Sequence, residues 1–294
     1  MSELKEKFIG KIPGVEVNFP VDPWHEFVSR DNIRLHTYFY PSEAPKACMV
    51  MFHGLSSHSN ISASFAEEYS ATCHVFAIDQ RGHGKSGGKP GSVPHFSKWV
   101  EDSIDFTLAI YREFRLPIFL HGESMGGTIA IEVAAHLNDI VKGLVLLAPA
   151  LETSANNAKL WECVIRTLVC CCPCLCFPRG TPDGISKNPH VSEYIIEEDL
   201  VYKGKRDFKT IVNVLDGMKN ARSKAPIINA SMIIVFGSDD IVTCIKKARN
   251  FFDSVQVEDK TFYEVSGGRH ALVLDTEAFE IKEMVGDWVR ERTY

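Results

Sequence analysis

The sequence predicts an α/β fold: a mostly parallel sheet covered on both faces by helices. Three observations carry this expectation. Short apolar runs, the mark of strands buried on both faces, recur along the chain. Stretches with helical spacing of apolar residues alternate with them, which is how parallel strands are joined. Several of the strands also run straight into loops rich in glycine, serine, histidine or aspartate, where functional groups of such a sheet gather.

Taken in order, Trp24 to Ser29 and Ile33 to Tyr40 read as two hairpin strands joined by Arg30-Asp31-Asn32. An antiparallel pair there would sit at the edge of the sheet. A third strand, Ala47 to Phe52, leads into His53-Gly54-Leu55-Ser56-Ser57-His58. Residues 60 to 71 suit a short helix, and Val75 to Ile78 a strand that ends at Asp79-Gln80-Arg81-Gly82-His83-Gly84-Lys85-Ser86-Gly87. Val100 to Phe114 is helical by pattern, with Ile104, Leu108 and Tyr111 on one side.

The stretch Pro117 to Gly127, PIFLHGESMGG, is the one around which the chain is organised. It begins as a buried strand, breaks at Gly122-Glu123-Ser124-Met125-Gly126, and continues as a helix whose stripe is Ile129, Ala130, Val133, Ala134 and Leu137. Strand, sharp turn and helix around Gly-x-Ser-x-Gly form a nucleophile elbow. Ser124 is held in a strained conformation there, and Gly122 and Gly126 are required because a Cβ at either place would collide.

Gly143 to Leu147 is another buried strand, after which the alternation stops between residues 151 and 228. Met232 to Phe236 resumes it and closes on Gly237-Ser238-Asp239-Asp240, followed by a helix through Phe252. Thr261 to Val265 is the last strand, ending in Ser266-Gly267-Gly268-Arg269-His270, and Glu277 to Val289 the last helix.

A serine hydroxyl needs a general base within reach and a group to orient that base. Among eleven histidines, His270 is the one after Ser124 that follows a strand; His136 lies in a helix and His190 in the irregular interval. Asp239 and Asp240 both follow the preceding strand, and either fits the chain order Ser, Asp, His. Asp240 is favoured by the Gly-x-x-Asp-x-Val pattern of Gly237 to Val242. Backbone N–H groups of Met125, at the start of a helix, and Leu55 are the expected oxyanion donors.

These residues resemble the α/β-hydrolase fold, and within it the monoacylglycerol lipase and lysophospholipase group. The likeness rests on His53-Gly54 with His58-Ser59, on GHGKSGG from Gly82, and on His121-Gly-Glu-Ser-Met-Gly-Gly127, and it extends over about residues 25 to 294. It implies an eight-stranded, mostly parallel sheet flanked by helices, with a core of residues 1–150 and 229–294 and an inserted helical cap at 151–228. It also implies a serine esterase acting on a monoacyl lipid ester without metal or other cofactor. In such lipases the first loop reads His-Gly-x-Gly-Glu-His-Ser-x-Arg, whereas Ser56, Ser57 and Ile61 stand here at the glycine, acidic and basic places. Glu123 replaces a common histidine, and Val273 a polar residue expected three beyond the catalytic histidine. A lysophospholipid thereby becomes a competing substrate. Candidate substrate contacts are Ser57, Glu123 and Tyr194.

Composition bounds what remains. A chain of 294 residues buries a sizeable core, and a net charge of −6 argues against a nucleic-acid partner. The charged start MSELKEKFIG offers no signal-peptide core, and no apolar run has transmembrane length, so the cytoplasm is the expected compartment. Leu160, Trp161, Val164, Ile165, Leu168 and Val169 draw an apolar stripe on a cap helix that either touches a membrane surface or packs onto the cleft. The five cysteines between Cys170 and Cys176 fit S-acylation or plain buried thiols better than a zinc site, which would show a second ligand pair. Cys244 is a candidate for thiol sensitivity near the site, and Lys203, Lys205, Arg206 and Lys209 read as a solvated basic face.

Overall fold

The structure, a computed structural model, describes residues 24–154, 158–171, 176–177 and 183–293. Strand β1 (Glu26–Val28) pairs antiparallel with β2 (Arg34–Tyr40), which pairs antiparallel with β4 (Cys73–Ile78). From β4 onward every ladder is parallel, through β3 (Ala47–Phe52), β5 (Ile118–Glu123), β6 (Val141–Leu147), β9 (Ser231–Gly237) and β10 (Lys260–Val265). The eight strands stand in the order β1-β2-β4-β3-β5-β6-β9-β10. All six residues of β3 are buried, as are those of β9 after Ser231, which is why these strands read as unbroken apolar runs.

Helices α1 (Ala63–Tyr69), α2 (Phe96–Phe114), α3 (Met125–His136), α7 (Ile245–Ser254) and α8 (Ala278–Arg290) cover the sheet. Two expectations need correction. Helix α2 begins at Phe96, and its buried face is Phe96, Trp99, Ser103, Phe106 and Ile110, while Ile104, Leu108 and Tyr111 flank it half-buried. Helix α3 has no single inward stripe: every residue from Met125 to Ala134 is buried, because the sheet lies on one side and α2 and a later helix on the other.

Between β6 and β9 the chain forms α4 (Ala158–Cys171), a two-stranded antiparallel ribbon of β7 (Cys176–Phe177) and β8 (Arg206–Asp207), α5 (Pro189–Glu197) and α6 (Phe208–Ser223). Asn188 caps α5 by accepting the His190 N–H at 3.1 Å, and Asp207 caps α6 by accepting that of Thr210 at 2.7 Å. Helix α6 packs on α3 and α2, so the insertion is anchored on the helical layer behind the nucleophile. Leu160 and Trp161 of the apolar stripe, and Cys170, Cys171, Cys172 and Cys174 of the cysteine cluster, have side chains outside the described residues. Among the described residues no helix is long and apolar enough to cross a membrane.

Candidate active site

Ser124 sits between β5 and α3 with φ 50° and ψ −116°, a conformation that costs energy in any residue bearing a Cβ. The surroundings enforce it. A Cβ on Gly126 would strike the carbonyl of Phe52 on the neighbouring strand, and one on Gly122 would strike the carbonyl of Gly126. The turn is therefore folded tightly against β3, and the serine side chain is left at the rim of the sheet.

His270 comes to the same rim from the loop after β10, and Asp240 from the loop after β9. His270 Nε2 lies 2.9 Å from Ser124 Oγ, and His270 Nδ1 lies 2.8 Å from Asp240 Oδ2. The other Asp240 oxygen accepts the N–H groups of Val242 at 2.7 Å and Thr243 at 3.0 Å, while the Thr243 hydroxyl donates to Oδ2 at 2.6 Å. Burial pushes this carboxyl upward, yet the contacts from His270 and Thr243 outweigh it and hold it below its ordinary value. Asp239, the alternative, is exposed and accepts the Ser238 hydroxyl at 2.9 Å. The Asp240 side chain is only 1% exposed, which separates the two aspartates.

The loop after β3 approaches from the opposite side: a Cβ on Gly54 would stand 3.5 Å from that of Ser124. Among the described residues, neither the Leu55 nor the Met125 N–H has a hydrogen-bond acceptor within the chain. Both residues line a cavity beside Ser124. His53 fixes this loop from below. Its Nε2 accepts the Gln80 N–H at 2.9 Å, and its Nδ1 lies 2.7 Å from the Gly54 carbonyl. Burial pushes the His53 pKa down, so the ring is neutral and gives its one N–H to Gly54. Asp79, fully buried, accepts the Ser59 N–H and hydroxyl at 2.7 and 2.6 Å and the Lys85 N–H at 2.9 Å. That carboxylate ties together the loops after β3 and β4, which accounts for both sequence motifs.

Two cavities meet at Ser124 and His270. The larger, about 430 Å³, is walled by Met125, Ile211, Val214, Leu215, Met218 and Val242, with Arg206 at its edge. The smaller, about 130 Å³, includes Ser56, Ser57, Ile61, Glu123 and Val273, with Ile185, Ile195 and Val201 of the insertion over it. Ser57 and Glu123 are thus beside the serine. Tyr194 is not: it is buried within the insertion and lines neither cavity, although its neighbour Ile195 does. Cys244, half-buried at the start of α7, lines neither as well.

Arg206 departs from the solvated face expected of its basic run. Held by the ribbon, its Nε and Nη2 donate to Ser56 Oγ at 3.2 and 2.6 Å. Sequence reasoning also missed Thr243, and a buried chain behind Glu123. There Tyr69 Oη lies 3.0 Å from His121 Nδ1, and His121 Nε2 lies 3.3 Å from Glu123 Oε1, which also receives the Ser62 hydroxyl. Among the described residues, no group of three or more His, Cys, Asp or Glu is arranged to hold a metal ion.

Comparison with known proteins finds lipases similar to this chain. Monoglyceride lipase of Homo sapiens is 28% identical over 265 residues, spanning 87% of this chain and 86% of that protein. Monoacylglycerol lipase of Mycolicibacterium smegmatis is 25% identical over 269 residues, spanning 90% and 96%. The crystal structure of the Paleococcus ferrophilus monoacylglycerol lipase superposes with a TM-score of 0.78 at 29% identity, covering 88% of this chain and 99% of that one. The profile of the family described as serine aminopeptidase, S33 matches residues 43–277. Most of the sheet, the elbow and the loops that carry Asp240 and His270 fall within that match, and the chain belongs to this family of α/β-hydrolases.

Proposed function

We propose that this chain is a serine carboxylester hydrolase that cleaves monoacylglycerol to fatty acid and glycerol through an acyl-enzyme on Ser124. The observation that carries the reading is the hydrogen-bonded series Ser124, His270, Asp240, standing where a large apolar cavity meets a small one. Ser124 Oγ attacks the ester carbonyl while His270 Nε2 takes its proton. Asp240 holds the ring by Nδ1 and balances the charge it acquires. The carbonyl oxygen, now an anion, is received by the N–H groups of Leu55 and Met125, the latter at the positive end of α3. Collapse breaks the ester C–O bond, and His270 returns its proton to the departing glycerol oxygen. Water then attacks the acyl-enzyme by the same route and frees the fatty acid.

The fit to a lipid lies in the larger cavity. Its lining carries no Asp or Glu among the described residues and is mostly apolar, so most of an acyl chain buries there against hydrocarbon, with Arg206 at the edge hydrogen-bonded to Ser56. Residues 151–228 are read as the cap over a hydrolase core of 1–150 and 229–294. Peripheral contact with a membrane through the stretch from Leu160 to Cys176 belongs to the same proposal, supported by the exposure of Val164 on α4.

Replacement of Ser124 by alanine tests the reading. Ser124→Ala is expected to keep the unfolding transition of the wild type while losing hydrolysis of a monoacylglycerol and of a p-nitrophenyl ester, and losing labelling by a fluorophosphonate. Hydrolysis by the alanine variant at the wild-type rate would refute it.

A further inference from the structure

We infer that Glu123 is the residue that reads the leaving alcohol, selecting a neutral, hydroxyl-bearing head group over one that carries phosphate. The inference rests on the hydrolase reading above and deepens it. Glu123 lines the smaller cavity beside Ser124 with its side chain 13% exposed, and it is the one acidic side chain among the described residues of that lining.

The carboxylate is held from behind. Tyr69 Oη lies 3.0 Å from His121 Nδ1, and burial, which pushes the hydroxyl well above its ordinary pKa, keeps it protonated. A carboxylate only accepts, so His121 Nε2 is the donor to Glu123 Oε1 at 3.3 Å. The Ser62 hydroxyl donates to the same oxygen. Oε1 is thereby occupied by two donors, and Oε2 has no partner among the described residues. A pinned carboxylate with one oxygen free is a preorganised acceptor for O–H groups.

Which part of the substrate meets it follows from the division of the site. Both cavities have largely apolar linings, but the 430 Å³ one has the room for a long acyl chain and no carboxylate among the described residues of its lining. Methylenes buried against Glu123 would strip that carboxylate of water without return. The 130 Å³ cavity, with Ser57 and Glu123, is left for the alcohol that departs. A free hydroxyl of glycerol can donate to Oε2. A phosphomonoester in the same place presents like charge to Glu123, and the nearby cation, Arg206, is engaged with Ser56 Oγ and lines the larger cavity, not this one.

The test compares ratios of kcat/KM for esters of one fatty acid: the 1-monoacylglycerol, the n-propyl ester lacking both free hydroxyls, and the lysophosphatidic acid. The wild type should prefer monoacylglycerol over propyl ester by at least tenfold, and over lysophosphatidic acid by more. Glu123→Gln should bring the monoacylglycerol to propyl ester ratio down about tenfold and raise the lysophosphatidic acid to propyl ester ratio, a comparison from which any loss common to all three esters cancels. A wild type that treats glycerol and propyl esters alike overturns the inference even if the variant fails to fold, as does an unchanged ratio in a folded variant. Either result leaves the hydrolase reading standing as long as the propyl ester is cleaved in a Ser124-dependent way. Absence of all ester cleavage removes both.

Discussion

The Thr243 hydroxyl donates at 2.6 Å to Asp240 Oδ2, the same oxygen that meets His270 Nδ1 at 2.8 Å. Two donors thus converge on one oxygen of a nearly inaccessible carboxylate, and Thr243 is itself buried. Removing the hydroxyl leaves that oxygen short of a donor where no water replaces it. A hydrogen bond to a charged group contributes about 1.5–3 kcal/mol, so Thr243→Val should lower kcat/KM by about tenfold or more. It should also raise the Asp240 pKa, since the lost contact favoured the charged form. Thr243→Ser should restore both, which a merely space-filling role for the threonine would not explain.

Arg206 and Ser56 join the insertion to the loop that presents the Leu55 N–H. The guanidinium donates twice to Ser56 Oγ, and the Ser56 carbonyl accepts the Tyr202 N–H at 2.9 Å. Ser56 has a φ of 66°, so its loop holds a conformation that needs outside support. Loss of a whole oxyanion donor costs about 10²–10³ in kcat, and a displaced one less. Arg206→Met and Ser56→Ala are each expected to reduce kcat about tenfold. The double variant should be little worse than either alone, because both remove one interaction. Additive losses in steady-state kinetics would show that the two side chains act separately.

Gly126 gives a test of the elbow. A methyl group there collides with the Phe52 carbonyl, which is fixed in the centre of the sheet and has nowhere to go. Gly126→Ala should destabilise the protein by about 3 kcal/mol or more, lowering the thermal midpoint by roughly 6 °C or more. Gly54→Ala makes the informative comparison. Its methyl group would meet Ser124 Cβ at 3.5 Å, an ordinary contact, so stability should hold while activity falls. Thermal unfolding followed by circular dichroism separates the two.

The elbow was legible because its parts are contiguous: Pro117 to Gly127 spells out strand, turn and helix in one stretch. Asp240 and His270 were legible for a related reason, since strand order in a parallel sheet brings strand C-termini to one rim. Side chains gathered by tertiary packing left no such trace. Tyr69 reaches His121 from a helix two strands earlier in the chain, and nothing in either local pattern announces the meeting. Arg206 is delivered by a ribbon whose strands have two residues each, too short for any periodicity, so its run of basic neighbours read as surface. Tyr194 misled in the opposite direction. An aromatic residue in a cap suggests a pocket wall, but α5 turns it into the packing of the insertion and offers Ile195 to the site.

Acid sensitivity follows from the histidines that brace the loops. His83 is buried beside His53, the ring centroids 5.4 Å apart, and burial, aided by the neighbouring ring, pushes its pKa down from 6.5 to about 3. The His53 pKa is likewise pushed down by burial. An unfolded chain binds a proton at His83 near pH 6.5, whereas the folded one resists it. The stabilisation is therefore complete above pH 6.5 and is lost progressively as pH falls toward 3. Between pH 7 and pH 5 this single ring should withdraw about 2 kcal/mol, with His53 adding to the loss. Urea midpoints at the two pH values measure it. The drop should shrink in His83→Asn, which has no proton to take up, and an equal drop in that variant would assign the acid sensitivity elsewhere.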